Sequence, residues 1–387
     1  MTSVHSELSR LRRTTSNSAE AKEITLQSRP SSLIDADSID LLHRAAAAAV
    51  DTHPHPNPRV GCVVQSESGD VVGEGVHVTA GAEHAEVAAL RASGDAARNG
   101  TLYVTLEPCV HHGRTPPCVD AIVEAGIRRV VVGALDPDER ISGAGVAQLY
   151  AQGIAVEIAD TDSNTEWVDP GYFHHRRTRL PYVTLKLAST LDGQAAAADG
   201  TSQWITTEDA RRDVHRLRAR TDAVMVGAGT VRTDNPRLDV RIDGYDGHQP
   251  VPVVIAGRND IPQDSVVFAR GPLVYTSRQD LTGHGKPIVV AGDGEGVNLC
   301  AVMADLGRRS FIDVLVEGGP GLAGSLLRRN LVDRLVWYFG PKLGGGLGRP
   351  TIEGVFATLD EALELDIVDV TSLGTDVRVT ALVGIDR

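Results

Sequence analysis

The sequence predicts two α/β domains in tandem behind an N-terminal extension. Three observations predict this. Strand-like and helix-like segments alternate through both halves of the chain, the pattern of layered α/β folds. A length of 387 residues holds two or three domains at about 100–200 residues each. The alternation breaks once, over Trp167–Pro181, where Asp169-Pro170-Gly171, the run His174-His175-Arg176-Arg177 and Pro181 mark a joint. The expected division is therefore 1–35, 36–179 and 180–387.

Residues 1–35 are rich in Ser, Thr and charge without an apolar period, and are expected to be a flexible extension. Ser38–Val50 reads as an Ala-rich helix with an Asp/Ser start. Arg59–Gln65 alternates like a strand. Ser68-Gly69-Asp70 is turn chemistry and Val71–Glu74 a second strand, which makes a hairpin. His84–Arg91 follows as a helix, Thr101–Leu106 as a strand, and Cys118–Glu124 as a helix stopped by Gly126. Arg129–Gly133, Val146–Ala151 and Ile154–Ile158 continue as strand, helix and strand. In the second half Tyr182–Ala188 is a strand. Thr207–Ala219 is a helix with Thr206 or Thr207 as N-cap and Glu208 and Asp209 in its first turn. Asp222–Gly227, Val251–Ala256, Leu273–Thr276, Pro287–Ala291 and Asp313–Val316 read as strands, Leu322–Leu327 as a helix, and Arg334–Phe339, Leu363–Val370 and Asp376–Val383 as strands.

Composition narrows the function. A formal net charge of −13 argues against a broad nucleic-acid surface, yet a few local arginines suffice for one phosphate on a small molecule. The chain holds no apolar run long enough for a membrane span. It also lacks the apolar core of a secretory signal at its start, so a cytoplasmic location is expected. Four cysteines, Cys62, Cys109, Cys118 and Cys300, are too few for a disulfide framework in such a chain, and reduced thiols are expected, some of them metal ligands.

Three features of the first half converge on one chemistry: His84-Ala85-Glu86 opening a helix, Glu107-Pro108-Cys109 after a strand, and Cys118 opening another helix. One His and two Cys make a three-ligand zinc site with the fourth position left for water. Such a site lowers the pKa of that water to about 7. Glu86, two residues from His84, is placed to take the water's proton and pass it to a leaving amine. A helix N-terminus favours the Cys118 thiolate. The zinc-deaminase signature combines these parts, and the alternative, a structural zinc clip, lacks a fourth protein ligand. The generic signature ends in Cys-x-x-Cys, whereas eight residues separate Cys109 from Cys118. The inserted loop is a candidate for reading substrate, with Arg114 toward a phosphate and His111 or His112 toward a ring. Solvated loop residues are the alternative.

Together with Asn57-Pro58-Arg59-Val60-Gly61-Cys62, Gly73-Glu74-Gly75 and the run YVTLEPCVHHGRTPPC, these residues resemble the bifunctional riboflavin-biosynthesis deaminase/reductase family. The second half agrees through Lys186-Leu187-Ala188-Ser189-Thr190-Leu191-Asp192-Gly193, Ser202-Gln203-Trp204-Ile205-Thr206, Gly229-Thr230-Val231, Asp234-Asn235-Pro236 and VEGGPGLAG. The resemblance implies a cytidine-deaminase-like α/β/α sandwich followed by a dihydrofolate-reductase-like α/β domain. It implies hydrolysis of the exocyclic amine of 2,5-diamino-6-ribosylamino-4(3H)-pyrimidinone 5′-phosphate. NADPH-dependent reduction of the ribosyl group to ribityl follows, giving 5-amino-6-ribitylaminouracil 5′-phosphate.

By that resemblance His84, Cys109 and Cys118 hold Zn2+, Glu86 shuttles the proton, and Asn57 and His77 lie in the deaminase pocket. Ala188, Trp204, Thr230 and Asp234 meet NADPH, and Gly319, Pro320, Gly321, Leu322, Ala323, Gly324 and Ser325 wrap its phosphates. Ser202, Arg218, Leu238, Arg241 and Glu317 meet the substrate. A Gly-rich turn into a helix suits a phosphate, although such a turn is often only a turn. Arg218 and Arg241 are candidates to fork onto the substrate phosphate; a solvated helix face is the alternative for each. Trp204 taken alone would more often be core. Lys186 is either a helper of hydride transfer or a strand-end charge, and Asp192 and Glu317 are the candidate acids of the reduction. Val110, Gln194 and the acidic run Asp136-Pro137-Asp138-Glu139-Arg140 depart from the family pattern without touching the zinc set.

Reductases of this fold class pair through their sheets, so a homo-oligomer is expected. Two other readings compete. One is a deaminase of a free base or nucleoside with an idle second half. The other is a nucleotide sensor with a structural metal.

Overall fold

Strand β1 (Gly61–Gln65) shows how the first half is layered. Its Cys62 and Val64 point into one core while Gly61 and Val63 face the opposite side, the period-two alternation of a strand covered on both faces. The computed structural model describes residues 34–111, 116–138, 141–161, 163–281, 287–294, 296–354 and 356–384. The extension predicted as flexible lies almost entirely outside these residues, as do His112 and Arg114.

In chain order helix α1 (Ala36–Ala49) precedes β1 and β2 (Val71–Val76), then come α2 (Ala85–Ser93), β3 (Thr101–Val104), α3 (Cys118–Glu124), β4 (Arg129–Val132), α4 (Ala144–Ala151) and β5 (Ala155–Ile158). The sheet runs β2-β1-β3-β4-β5, antiparallel across its first three strands and parallel across β3, β4 and β5. On one face Leu102, Val104, Val130 and Val132 pack with Ala85, Ala89, Val119, Ile122 and Leu149 from α2, α3 and α4. On the other, α1 approaches so closely that a Cβ on Gly61 would lie 1.9 Å from the Ala45 carbonyl oxygen.

The predicted break is itself a nine-residue helix, α5 (Pro170–Thr178). Asp169 caps it by accepting the Tyr172 N–H, and Pro170 takes the first turn. The residues read as punctuation were helix-start chemistry.

The second half continues with β6 (Tyr182–Thr190), β7 (Gln194–Ala196), α6 (Glu208–Ala219), β8 (Ala223–Gly227), α7 (Ala228–Asp234), β9 (Val251–Gly257), β10 (Leu273–Thr276), β11 (Ile288–Val289), α8 (Leu299–Arg308), β12 (Asp313–Val316), α9 (Pro320–Arg328), β13 (Arg334–Gly340), β14 (Arg349–Pro350), β15 (Leu365–Leu373) and β16 (Asp376–Val383). Nine strands form one sheet in the order β11-β10-β9-β8-β12-β6-β13-β16-β15. It is parallel as far as β13 and antiparallel at its last two strands. Helices α8 and α9 cover one face through Val302, Met303, Leu306, Ala323 and Leu326. Helices α7 and α8 fall outside the predicted elements. The N-cap of α6 is Thr207, but its hydroxyl donates to the Asp376 carboxylate at 2.5 Å instead of capping. Among the described residues no helix is long and apolar enough to cross a membrane.

A buried ionic knot ties the two sheets together. The Arg59 guanidinium donates to Asp169 at 2.9 Å, to Asp313 at 3.2 Å and to the Arg220 carbonyl at 2.6 Å. Beside it His55 lies between Asp169 and Asp222. Burial alone would lower the His55 pKa, but the two carboxylates outweigh it and raise it to about 10. Removing one partner of a buried ion pair strands the others without compensation. Arg59→Met should therefore destabilise the fold by about 3–5 kcal/mol, read as a lowered thermal midpoint of the full chain. An unchanged midpoint would show that Arg59 does not hold the halves together.

Candidate active sites

Two local geometries bring the zinc residues of the first half together. His84 immediately precedes α2 and Glu86 lies in its first turn, while Cys118 opens α3. The chain reaches Cys109 from the end of β3 through Leu106-Glu107-Pro108. The His84 Nδ1 lies 3.1 Å from Cys118 Sγ and 3.6 Å from Cys109 Sγ, and the two sulfurs are 3.5 Å apart. Their ligand atoms therefore face one point. The contact with Cys118, and after it His84, pull the Cys109 thiol strongly down toward thiolate. One nitrogen and two sulfurs within this spacing are the donor set that zinc takes.

Glu86 is almost fully buried, and burial followed by the charge of Cys109 pushes its carboxyl up to about 7. A carboxyl in that range takes and returns a proton near neutral pH. Asn57 donates its amide N–H to His77 Nε2 at 3.1 Å, and His77 Nδ1 donates to the Glu83 carbonyl at 2.9 Å. Burial lowers the His77 pKa, which fits this neutral tautomer. Its ring meets that of His84 edge-on at 5.1 Å.

Sequence reasoning missed Glu107. Its carboxylate accepts four backbone N–H groups, from Asp136 at 3.2 Å, Gly143 at 2.9 Å, Gly145 at 2.8 Å and Val146 at 3.2 Å. It so fixes the approach to Cys109 against the start of α4. Gly145 permits the contact, since a Cβ there would lie 2.1 Å from the Pro108 carbonyl oxygen.

The second site is a cleft of about 1030 Å³ at the C-terminal ends of the parallel strands β8, β9 and β12, the edge where open α/β sheets bind ligands. Ala188, Ser202, Trp204, Arg218, Thr230, Asp234, Leu238, Arg241, Glu317, Gly319, Pro320, Gly321, Leu322 and Ser325 all line it. Ala323 and Gly324 do not. They sit on the inward face of α9, where Ala323 is fully buried and a Cβ on Gly324 would meet the Glu353 carbonyl oxygen at 2.1 Å. The N-terminus of α9 opens into the cleft, and a Cβ on Gly319 would meet nothing nearer than the Thr230 hydroxyl at 3.8 Å. This leaves a cradle in which backbone N–H groups can approach a phosphate, and the cleft is large enough for a dinucleotide beside a second small molecule.

The cleft gives the remaining predicted residues definite partners. Arg218 lines the cleft, forks onto Glu317 at 2.6 and 3.0 Å and donates to the Asp239 carbonyl at 2.9 Å, which leaves two of its five N–H donors over. Arg241 pairs with the Asp239 carboxylate but stays half exposed at the rim. Burial pushes the Glu317 carboxyl up, yet Arg218 outweighs it and holds the group ionised. Trp204 is 60% exposed, with Arg211 stacked 4.3 Å over its ring, so it is no core residue. Lys186 lines the cleft from the middle of β6; burial lowers its pKa against the pull of Glu317 and Asp234. Asp192 accepts the N–H groups of Gly344 at 2.8 Å and Gly345 at 2.7 Å. The Gly344 bond and then Thr190 hold its carboxyl down to about 2, which leaves no proton to donate near neutral pH.

A metal-ligating His-Cys-Cys set beside a buried Glu, joined to a parallel-sheet cleft with a glycine cradle, defines a two-headed enzyme, part zinc deaminase and part nucleotide-dependent reductase. Residues 36–134 match the cytidine and deoxycytidylate deaminase zinc-binding region, and residues 181–379 match the RibD C-terminal domain. The riboflavin biosynthesis protein RibD of Escherichia coli K12 is 39% identical over 341 residues, which covers 84% of this chain and 92% of that protein. That of Mycobacterium tuberculosis is 38% identical over 332 residues, covering 83% and 90%. Acinetobacter baumannii RibD superposes with a TM-score of 0.81 at 35% identity, over 90% of this chain and 99% of that one. The Thermotoga maritima diaminohydroxyphosphoribosylaminopyrimidine deaminase/5-amino-6-(5-phosphoribosylamino)uracil reductase gives 0.80 at 32%, with the same coverage. The chain belongs to the RibD family, the bifunctional deaminase/reductases of riboflavin biosynthesis, which work with zinc and NADPH.

Cys62 is buried and Cys300 only partly so. If a metal occupies the triad, chelation should add Cys109 to the thiols that a maleimide labels in the folded protein. Labelling of Cys109 before chelation as readily as after it would exclude Cys109 as a ligand.

Proposed function

We propose that residues 36–179 deaminate 2,5-diamino-6-ribosylamino-4(3H)-pyrimidinone 5′-phosphate and that residues 180–387 then reduce its ribosyl group with NADPH. The product is 5-amino-6-ribitylaminouracil 5′-phosphate. The observation that carries this reading is the His84–Cys109–Cys118 triad with buried Glu86, on one chain with the glycine-cradled cleft.

His84, Cys109 and Cys118 hold the zinc, which when bound supplies a Lewis acid that makes water acidic near neutral pH. Glu86 takes the proton of the attacking water and hands it to the departing amine. Neutral His77, fixed by Asn57 and the Glu83 carbonyl, orients the ring.

In the cleft NADPH supplies hydride. The start of α9, Gly319 to Leu322 with Ser325, holds its phosphates, and Ala188, Trp204, Thr230 and Asp234 flank it. Glu317, kept ionised by Arg218, accepts hydrogen bonds from the sugar hydroxyls, beside Ser202 and Leu238. Arg241 at the rim meets the substrate phosphate. Neither Asp192 nor Glu317 carries a proton to give, so we assign that task to Lys186.

Incubating the zinc-loaded protein with the diaminopyrimidinone ribosyl phosphate should replace the amine by oxygen without NADPH, and add two hydrogens only with it. Turnover of free cytosine or guanine with none of the phosphate would instead favour the deaminase with an idle second half. Glu86→Gln should cut deamination by about 10²–10⁴-fold and leave reduction of the deaminated compound intact. Full deamination by that variant would remove Glu86 from its role.

The outer strand β15 exposes Ile367, Val368 and Val370, at 61%, 52% and 63%, along a sheet edge that is unpaired among the described residues, a surface that natural sheets cover. We assign it to pairing with a second copy of the chain in the cytoplasm, where the zinc thiolates stay reduced. Sedimentation at micromolar concentration should give an oligomer, and a monomeric mass would overturn this.

A further inference from the structure

Away from both clefts, the segment following α1 meets the starts of β8 and β12, and here imidazoles and carboxylates are buried together. Asp222 is oriented from behind. Its Oδ2 accepts the backbone N–H groups of Ile312 at 2.6 Å and Asp313 at 2.8 Å. Its Oδ1 then faces His53 Nε2 at 2.9 Å and His55 Nδ1 at 3.1 Å. The far nitrogen of His55, Nε2, lies 3.3 Å from both oxygens of Asp169. A carboxylate behind an imidazole is the arrangement that orients metal-bound histidines.

His53 adds an independent sign. Its Nε2 is buried, and its one polar neighbour among the described residues is Asp222 Oδ1 at 2.9 Å. Its ring is held in place by His248, stacked face to face at 3.8 Å and 4°. A buried ring nitrogen, fixed by stacking and set against a carboxylate oxygen, is placed as a metal ligand would be.

Charge and spacing agree. Asp169, Asp222 and Asp313 bring three negative charges to this junction against the single guanidinium of Arg59. Arg59 and a protonated His55 leave one negative charge over in a buried site, which is costly, and exchanging the His55 proton for a divalent cation cancels it. At metal–nitrogen distances of about 2.0–2.1 Å, neighbouring ligands lie roughly 3.0–3.4 Å apart. The spacings of 2.9 and 3.1 Å in this cluster fall near that range, as do the 3.1–3.6 Å of the His84–Cys109–Cys118 triad.

We propose that His53 Nε2, His55 Nδ1 and Asp222 Oδ1 form a second site for a divalent transition metal, zinc in the first instance, which links the two halves of the chain. Two imidazoles and one carboxylate suit that class of ion. Binding displaces the proton that the carboxylates otherwise keep on His55, so uptake releases acid. The site is closed, with the His55 side chain 1% exposed, and its task is to join rather than to catalyse.

The test counts metal in the full-length protein. After loading with Zn2+ and gel filtration, elemental mass spectrometry should find two zinc ions per chain. His53→Gln should retain one zinc and the deaminase activity. Cys109→Ser should retain one zinc and lose that activity. A cobalt titration serves if a variant fails to fold. In the wild type one equivalent should show the near-ultraviolet thiolate-to-metal band, and a second equivalent should bind without adding to it. A single zinc per chain, lost in Cys109→Ser, or an unchanged count in His53→Gln, would overturn the proposal and leave the cluster as a proton-held ionic knot.

Discussion

Asp169, Asp222 and Asp313 cannot be buried as bare charges, and the groups that compensate Asp222 and Asp313 come from the other side of a junction. Arg59 and His55 leave the first sheet's layer to meet Asp222 and Asp313 at the starts of β8 and β12. Asp169 caps the helix that leads from one half to the other. Burying these groups apart would cost several kcal/mol per unpaired ion, so the chain has a single low-energy way to place its halves. Apolar packing follows the same seam: Ile312, just before β12, belongs to the core that contains Tyr172 and Phe173 of α5.

Within this frame the two sites treat a buried carboxyl in opposite ways. In the first half, burial and then the charge of Cys109 outweigh the opposing pull of His84, so the proton affinity of Glu86 rises. In the second, Glu317 lines the cleft and is less deeply placed, and the Arg218 fork outweighs its burial, lowers its proton affinity and keeps it an acceptor. One residue type thus serves as a proton carrier in one site and as a fixed negative charge in the other, and the presence of one guanidinium decides which.

What was legible in the sequence follows from how local each signal is. His84, Glu86 and Cys118 belong to the first turns of short helices, so their spacing already places them. The strands Leu273–Thr276, Asp313–Val316 and Asp376–Val383 carry clear apolar patterns and end where read. Glu107 was illegible because its partners lie 29 to 39 positions along the chain, and nothing in Glu-Pro-Cys announces them. Ala323 and Gly324 belong to the phosphate motif by order but to the helix interior by the 3.6-residue period. Asp192 sits among motif residues, and only the return of the chain at Gly344 reveals its task. At the joint, Asp169-Pro170-Gly171 read as a break and is a helix start, because a helix start and a loop share the same residues.

The Glu107 carboxylate has a consequence for which sequences this site can tolerate. A carboxylate only accepts, and here four donors share its two oxygens, two on each. Glutamine keeps the shape but turns an NH2 group toward two N–H groups, donor against donor. Aspartate keeps the chemistry but is one methylene too short to reach α4. The position therefore has no conservative neighbour in the genetic code, and drift in the loop before α4 is confined to changes that leave those four N–H groups where they are.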